Sequence, residues 1–122
     1  KRRVTWEQAL RHPVVALKGE YTYRLRVDLQ GAVPQERLNP VKEVTFMTTA
    51  LAMVSAGLGV TTCLPYAASL IRLHGLHSRS LTPEVRRRFF VFTRKDRPLS
   101  PAAMAFAGFL TAFVQKQDWA CY

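Results

Sequence analysis

The chain has 122 residues and carries 18 Lys and Arg against 8 Asp and Glu, so its formal net charge is +10. This length fits one ordinary domain or a piece of a larger one, and a hydrophobic fraction of 48% excludes a disordered tail. Two cysteines exclude a dense disulfide scaffold, and the first residues lack the apolar stretch that a signal peptide needs. The high positive charge makes nucleic-acid binding the first hypothesis.

The charge is unevenly distributed along the chain. Residues 44–71 contain no Asp, Glu, Lys or Arg, whereas residues 72–97 contain eight basic and two acidic residues. The uncharged stretch exceeds the roughly 20 apolar residues that a membrane span needs. It is nevertheless too polar for one, because it contains seven Ser and Thr residues and is interrupted by Gly57, Gly59 and Pro65. We therefore interpret it as a buried helix, a tight turn, a buried strand and a second helix.

Helix and strand signals alternate along the first part of the chain. Thr5 and Gln8 have the spacing of a capping box, which predicts a short helix through Leu10. The next elements predicted are a strand at 14–17, a helix at 23–29, a polar connection at 34–40 and a strand at 41–44.

The strongest signals come from the second part of the chain. Thr45 is a plausible N-cap of a helix at 46–57, and Gly57 or Gly59 would supply the positive φ that ends it. The later elements predicted are a strand at 60–64, a helix from Pro65 to about 73, a weak edge strand at 76–81, a strong strand at 88–94, and a final helix at 101–116 capped by Ser100. This alternation indicates α/β architecture.

Residues 4–13, 43–60 and 94–103 carry motifs that together resemble the effector-binding domain of LysR-type transcriptional regulators. Residues 43–60, which end in Ala-Gly-Leu-Gly-Val, resemble the centre of that domain, and Leu64-Pro65 closes the strand that follows. The run Arg-Lys-Asp-Arg-Pro-Leu-Ser-Pro-Ala-Ala at 94–103, followed by a helix containing Phe106, resembles the family's late signature. Residues 4–13, from Val-Thr-Trp-Glu to His-Pro, resemble the entry into its second subdomain.

The resemblance implies a fold like that of type II periplasmic binding proteins, in which two α/β subdomains joined by two crossing strands flank a ligand cleft. It assigns residues 4–87 to regulatory subdomain II, 88–99 to the return crossing strand and hinge, and 100–117 to the C-terminal helix of subdomain I. It further implies that the chain is a fragment without the family's winged helix-turn-helix and without the first part of subdomain I.

The function implied by the resemblance is that of a cytoplasmic ligand-sensing module, with no catalytic activity and no cofactor. Its partners would be a small-molecule effector, with an anion as one option, and DNA only through the missing N-terminal domain. A homo-oligomer is expected, in which the exposed C-terminal helix pairs or swaps, and no membrane contact is expected. The alternatives are a basic nucleic-acid-binding module and a fragment of a periplasmic solute-binding protein.

The family's effector contacts indicate which residues to examine here. On the cleft side, the matching residues are Tyr21, Thr22, Thr45, Phe46, Met47 and Tyr66. Helix N-termini favour anions because their N–H groups lack partners. Plain helix capping by Thr45 and simple exposure of Tyr21 are the alternatives. Phe46 replaces the small polar residue common there, which suggests an apolar or aromatic ligand.

The hinge prediction falls on the crossing strand, at Val91, Phe92 and Thr93. The basic and aromatic run at 86–92 is faintly similar to an RNA-recognition strand but lacks the glycines of that signature, so a crossing strand is the preferred interpretation.

Other reactive side chains receive structural interpretations. The His74 and His77 pair is interpreted as a loop, since zinc needs three or four ligands. Cys63 is interpreted as a small core residue and Cys121 as an exposed one. No spacing specifies a catalytic triad or a pair of carboxylates.

Overall fold

The computed structural model describes residues 3–31, 33 and 42–117, so the predictions for the 34–40 connection and for Cys121 lie outside the described residues. The chain divides into two units, one ending at Val85 and the other beginning at Arg86.

The first unit alternates short strands and helices. In chain order these are β1 (Val4–Thr5), α1 (Trp6–Ala9), β2 (Val15–Leu17), α2 (Glu20–Asp28), β3 (Lys42–Val44), α3 (Met47–Ser55), a 3₁₀ turn (Pro65–Ala67), α4 (Ala68–Leu73) and β4 (Leu81–Thr82). The strand pairs β1–β4 and β2–β3 are parallel, and an isolated parallel bridge joins Val14 to Val60. Parallel strands joined through helices confirm the predicted α/β class.

The first helix begins at the predicted capping box. The Thr5 hydroxyl accepts from the Gln8 N–H at 3.1 Å, and the Gln8 side chain accepts from the Thr5 N–H at 3.0 Å. Two N–H groups that the first turn leaves without helical partners are thereby satisfied.

Two glycines after α3 set the path of the chain. Gly57 has a φ of 78°, and the N–H groups of Gly57 and Leu58 donate to Val54 and Met53, which closes the helix in a Schellman motif. Gly59 has a φ of 141°, and a Cβ built there would lie 2.1 Å from the Pro13 carbonyl oxygen. The chain at 59–60 thus passes directly against Pro13, where the Val60 N–H donates to the Pro13 carbonyl at 2.9 Å.

Two small hydrophobic clusters hold the first unit together. One is centred on Trp6, Leu29 and Val33, and the Trp6 indole N–H donates to the Pro83 carbonyl at 2.8 Å. The other is formed by Leu51, Ala67 and Ile71, so it joins α3 to the 3₁₀ turn and α4. Cys63 is half-buried and packs against this second cluster.

Several predicted boundaries were wrong. Helix α2 begins at Glu20 instead of 23, because Gly19 at a φ of 84° turns the chain directly into the helix. Thr45 is not the N-cap of α3: the residue with extended backbone before the first turn is Phe46. Of the strand predicted at 60–64, only Val60 pairs, and of the edge strand predicted at 76–81, only Leu81 lies in a strand.

The secondary structure of the second unit differs more from the one that the sequence predicts. The strand expected at 88–94 does not form, and Phe89, Phe90, Val91 and Phe92 are exposed. A strand needs a neighbour to bond its backbone, and the described residues provide none for this segment. The final helix, α5 (Pro101–Lys116), forms as predicted, with the Ser100 hydroxyl accepting from the Ala103 N–H at 3.2 Å.

Candidate functional site

The candidate site lies where parallel chain segments end and helices begin. Strands β2 and β3 run parallel in register, with Leu17 opposite Val44, and the bridge from Val14 to Val60 places a third segment alongside in the same direction. The carboxyl ends of these three segments therefore share one edge of the sheet. Helix α2, helix α3 and the 3₁₀ turn begin within a few residues of that edge, so their N-termini converge there. We call this the strand-end edge.

Two predicted effector residues, Tyr21 and Thr22, lie in the first turn of α2. The Tyr21 hydroxyl donates to the Thr62 carbonyl at 3.1 Å, and the Thr22 hydroxyl donates to the Leu17 carbonyl. Both side chains are half-buried. These bonds join the beginning of α2 to the ends of β2 and of the 60–64 segment, so Tyr21 is not simply a surface residue.

Three more predicted residues precede or open α3. Thr45 and Phe46 are exposed, and Phe46 is 67% accessible. As N-cap, Phe46 provides no side-chain acceptor for the first turn, and no acidic residue lies in that turn. The N-terminus of α3 therefore keeps its positive electrostatic character. Met47 differs from its neighbours, because it packs against the cluster of Leu51, Ala67 and Ile71.

The start of α2 has the opposite charge character. Its N-cap, Gly19, provides no side-chain acceptor, but Glu20 contributes an exposed carboxylate to the first turn. The strand-end edge thus has an uncompensated helix start at α3 and an acidic one at α2. Tyr66 lies at the same edge, on the 3₁₀ turn, and is exposed.

The predicted hinge residues belong to the other unit. Val91 and Phe92 are exposed, as is Thr93, and they precede a turn that is braced by an ion pair. Arg94 donates to both carboxylate oxygens of Asp96, at 3.1 and 2.6 Å. These hydrogen bonds lower the pKa of Asp96 below its ordinary value.

A cavity of about 690 Å³ also occurs in the first unit. Its wall includes α1, the inner side of α3, residues 60–65 and residues 76–79. None of the six predicted effector residues lines it, although Thr62 and Pro65 from the strand-end edge do.

Metal sites and membrane spans were also examined. Among the residues that the structure covers, no group of three or more His, Cys, Asp or Glu is arranged to hold a metal ion. Over the same residues, none of the helices combines the length and apolar character needed to cross a bilayer.

The sequence did not reveal two contributors to the edge. One is the Thr62 carbonyl, which could have been found only from the alignment of the 60–64 segment with β2. The other is the Glu20 carboxylate, because the helix predicted at 23–29 leaves Glu20 out, whereas the observed helix begins at Glu20 directly after Gly19.

Comparisons with known proteins agree with this architecture. The profile of the LysR substrate binding domain matches residues 1–115. The uncharacterized HTH-type transcriptional regulator YbhD of Escherichia coli (strain K12) is 30% identical over 115 residues, a match that covers 90% of this chain and 35% of that protein. The chain therefore spans about a third of the length of this relative. No solved structure matches the chain. Because the family profile covers nearly all of its length, the chain belongs to the LysR substrate binding domain family.

Proposed function

We propose that this chain is the ligand-sensing regulatory module of a LysR-type transcriptional regulator. The observation that carries the proposal is the family match over residues 1–115. The similarity to an HTH-type transcriptional regulator supports it. A regulatory module requires no catalytic chemistry, and we propose none.

The effector site in this proposal is the strand-end edge. In open α/β sheets, ligands bind outside the carboxyl ends of the strands, and five of the six predicted effector residues lie there with polar groups or rings that are not part of a core cluster. They are Tyr21, Thr22, Thr45, Phe46 and Tyr66. Met47 belongs to the supporting core, since it packs against the cluster of Leu51, Ala67 and Ile71.

The effector proposed here carries an acidic group and an apolar or aromatic body. The acidic group would accept hydrogen bonds at the start of α3, where no side chain caps the helix. The exposed Phe46 ring would contact the apolar body.

Regulation would follow from a change in the population of two cleft states. We propose that residues 4–87 provide one wall of the cleft, that 88–99 form a crossing segment with the hinge at Val91, Phe92 and Thr93, and that 100–117 belong to the other subdomain. An effector that binds one state more tightly shifts the equilibrium toward it. DNA contact, homo-oligomerisation and a cytoplasmic location are proposals for the whole protein.

The basic run Arg86–Arg88 beside exposed Phe89 and Phe90 keeps nucleic-acid binding as the second candidate function. Binding of this kind weakens steeply with salt, because phosphate contacts release counterions. Fluorescence anisotropy with random duplex and single-stranded DNA at two salt concentrations tests it. We expect only weak binding that salt abolishes. Binding that survives about 200 mM salt would favour this candidate.

The proposed effector site at the strand-end edge is tested by an NMR titration of the ¹⁵N-labelled chain with sodium benzoate. We expect saturable shifts at residues 21–22 and 45–49 and at Tyr66, with millimolar affinity because one wall of a cleft provides only part of the contacts. Sodium chloride at equal ionic strength is the control. Saturable shifts confined to 86–97 would contradict the proposed site.

A further inference from the structure

We propose that the cavity of the first unit is a second ligand site, which takes an anion with an apolar body, such as an alkyl carboxylate. The cavity is separate from the strand-end edge in that none of the six predicted effector residues lines it. The inference therefore goes beyond the proposed function.

The cavity lies against two sheets that do not pair with each other in the part of the chain that the structure describes. Val4 and Leu81 line it from the β1–β4 sheet, and the bridged residues Val14 and Val60 line it from beside β2. Its volume of about 690 Å³ lies within the range of about 300–1,000 Å³ that is usual for small-molecule sites. The space is therefore large enough for a whole small molecule.

The inner wall of the cavity is apolar. Trp6, Leu51 and Ile71 line it and are buried. Half-buried aliphatic side chains add to this wall, namely Val54, Leu64 and Leu76. The Trp6 indole N–H and the Thr61 hydroxyl already donate to main-chain carbonyls, each at 2.8 Å. Water against such a wall finds few partners, so an apolar group that displaces it gains affinity.

The accessible part of the cavity wall is basic. Six of the residues that line the cavity are exposed, and five of these, which we call the cationic rim, are Arg3, Arg11, His12, His77 and Arg79. The Val4 N–H donates to the Ser80 carbonyl at 3.0 Å. This bond joins the two segments that carry Arg3 and Arg79, so these two cations lie on adjacent segments.

Acidic side chains do not neutralise the cationic rim. None of the described residues that line the cavity is Asp or Glu. The Glu7 carboxylate lies 3.7 Å from the Arg11 guanidinium, but both side chains are largely exposed, and such pairs contribute little. With Glu7 counted and both histidines neutral, the rim keeps a net charge of +2. An anionic head group held there would offset the repulsion between the arginines while its apolar body contacts the inner wall.

Octanoate, 1-octanol and octylammonium test the inference on the 122-residue chain, because they share one alkyl chain and differ in head-group charge. We expect NMR titration of the ¹⁵N-labelled chain to give saturable shifts with octanoate at residues 9–12 and 76–79. Octanoate should bind about two- to fivefold more tightly than 1-octanol, which corresponds to one exposed ion pair, and octylammonium should bind more weakly than either. Equal affinities for the three compounds would overturn the inference.

Variants of the cationic rim distinguish a role of its charge from a general effect of removing an arginine. Arg3→Gln and Arg79→Gln should each weaken octanoate binding about two- to fivefold and leave 1-octanol binding unchanged. Arg72→Gln removes an exposed arginine of the same unit that does not line the cavity, so it should retain the octanoate affinity. Unchanged octanoate binding in the double variant Arg3→Gln with Arg79→Gln would overturn the inference.

The position of the shifts separates this inference from the proposed effector site. Octanoate shifts confined to residues 21–22, 45–49 and Tyr66 would overturn the second site and leave the strand-end edge standing. Shifts confined to α5 would also overturn it, because octanoate would then bind only exposed apolar surface.

Discussion

At the scale of single residues, the backbone at Gly59 lies so close to the backbone at Pro13 that it leaves no room for a side chain. A side chain there would place its Cβ 2.1 Å from the Pro13 carbonyl oxygen and 2.9 Å from the carbonyl carbon. Both are main-chain atoms, and the oxygen also accepts from the Val60 N–H, so neither can move away without loss of that bond. We predict that Gly59→Ala lowers the free energy of unfolding by about 2–4 kcal/mol.

Gly57→Ala provides the matched control for this prediction. Gly57 also has a positive φ, but a Cβ there would meet no atom within 4 Å. Its substitution should therefore cost only the backbone strain, about 1–2 kcal/mol. Urea unfolding followed by tryptophan fluorescence measures both variants. Equal losses would show that the contact with Pro13 contributes nothing.

At the scale of elements, the beginning of α3 combines weak capping with a proposed binding role. Phe46 is the N-cap but provides no acceptor, whereas serine at this position normally stabilises a helix. Phe46→Ser should therefore raise the free energy of unfolding by about 0.5–1 kcal/mol. It should also weaken benzoate binding, because the new hydroxyl competes for the same N–H groups.

Phe46→Ala separates the loss of the ring from the gain of a cap. It removes the ring without adding an acceptor, so it should weaken benzoate binding less than Phe46→Ser and should not stabilise the chain. Thermal unfolding and NMR titration of the two variants provide the measurements. If both bound benzoate equally, the N–H groups of α3 would have no part in binding.

The elements also show what the sequence could predict. Local signals were sufficient for the capping box at Thr5 and for the Ser100 cap of α5, and they narrowed the end of α3 to Gly57 or Gly59, because each depends on residues close in sequence. The prediction of a strand at 88–94 was wrong because strand formation depends on residues that are distant in sequence. Its Phe and Val residues have high β propensity, but a strand also requires a neighbouring strand, which local sequence does not specify.

The proposed site shows the same difference between features set by nearby residues and features set by distant ones. Family resemblance identified residues near helix starts, and the parallel register brings five of them to one edge. The orientation of the Tyr21 and Thr22 hydroxyls could not be predicted, because their acceptors lie on segments whose alignment emerges only from the fold.

At the scale of the whole molecule, the second unit leaves an unusual amount of apolar surface accessible. Helix α5 is apolar over most of its circumference, and Phe106, Phe109 and Phe113 are all exposed, as is Phe92 at 89% accessibility. A helix that is apolar on all sides is normally buried, and large exposed apolar patches promote association. We predict that the chain self-associates, through pairing or exchange of α5.

Analytical ultracentrifugation across a range of concentrations tests this prediction. We expect the average mass to exceed that of a monomer and to rise with concentration. The double variant Phe109→Glu with Phe113→Glu should restore the monomer, because two carboxylates replace a stacked aromatic pair whose ring centres lie 6.0 Å apart. Gln115→Glu adds charge to the same helix without removing an apolar side chain, so it should leave association largely unchanged. A wild-type chain that stays monomeric at every concentration would contradict the role of α5, because its apolar surface would then be stable in water without a partner.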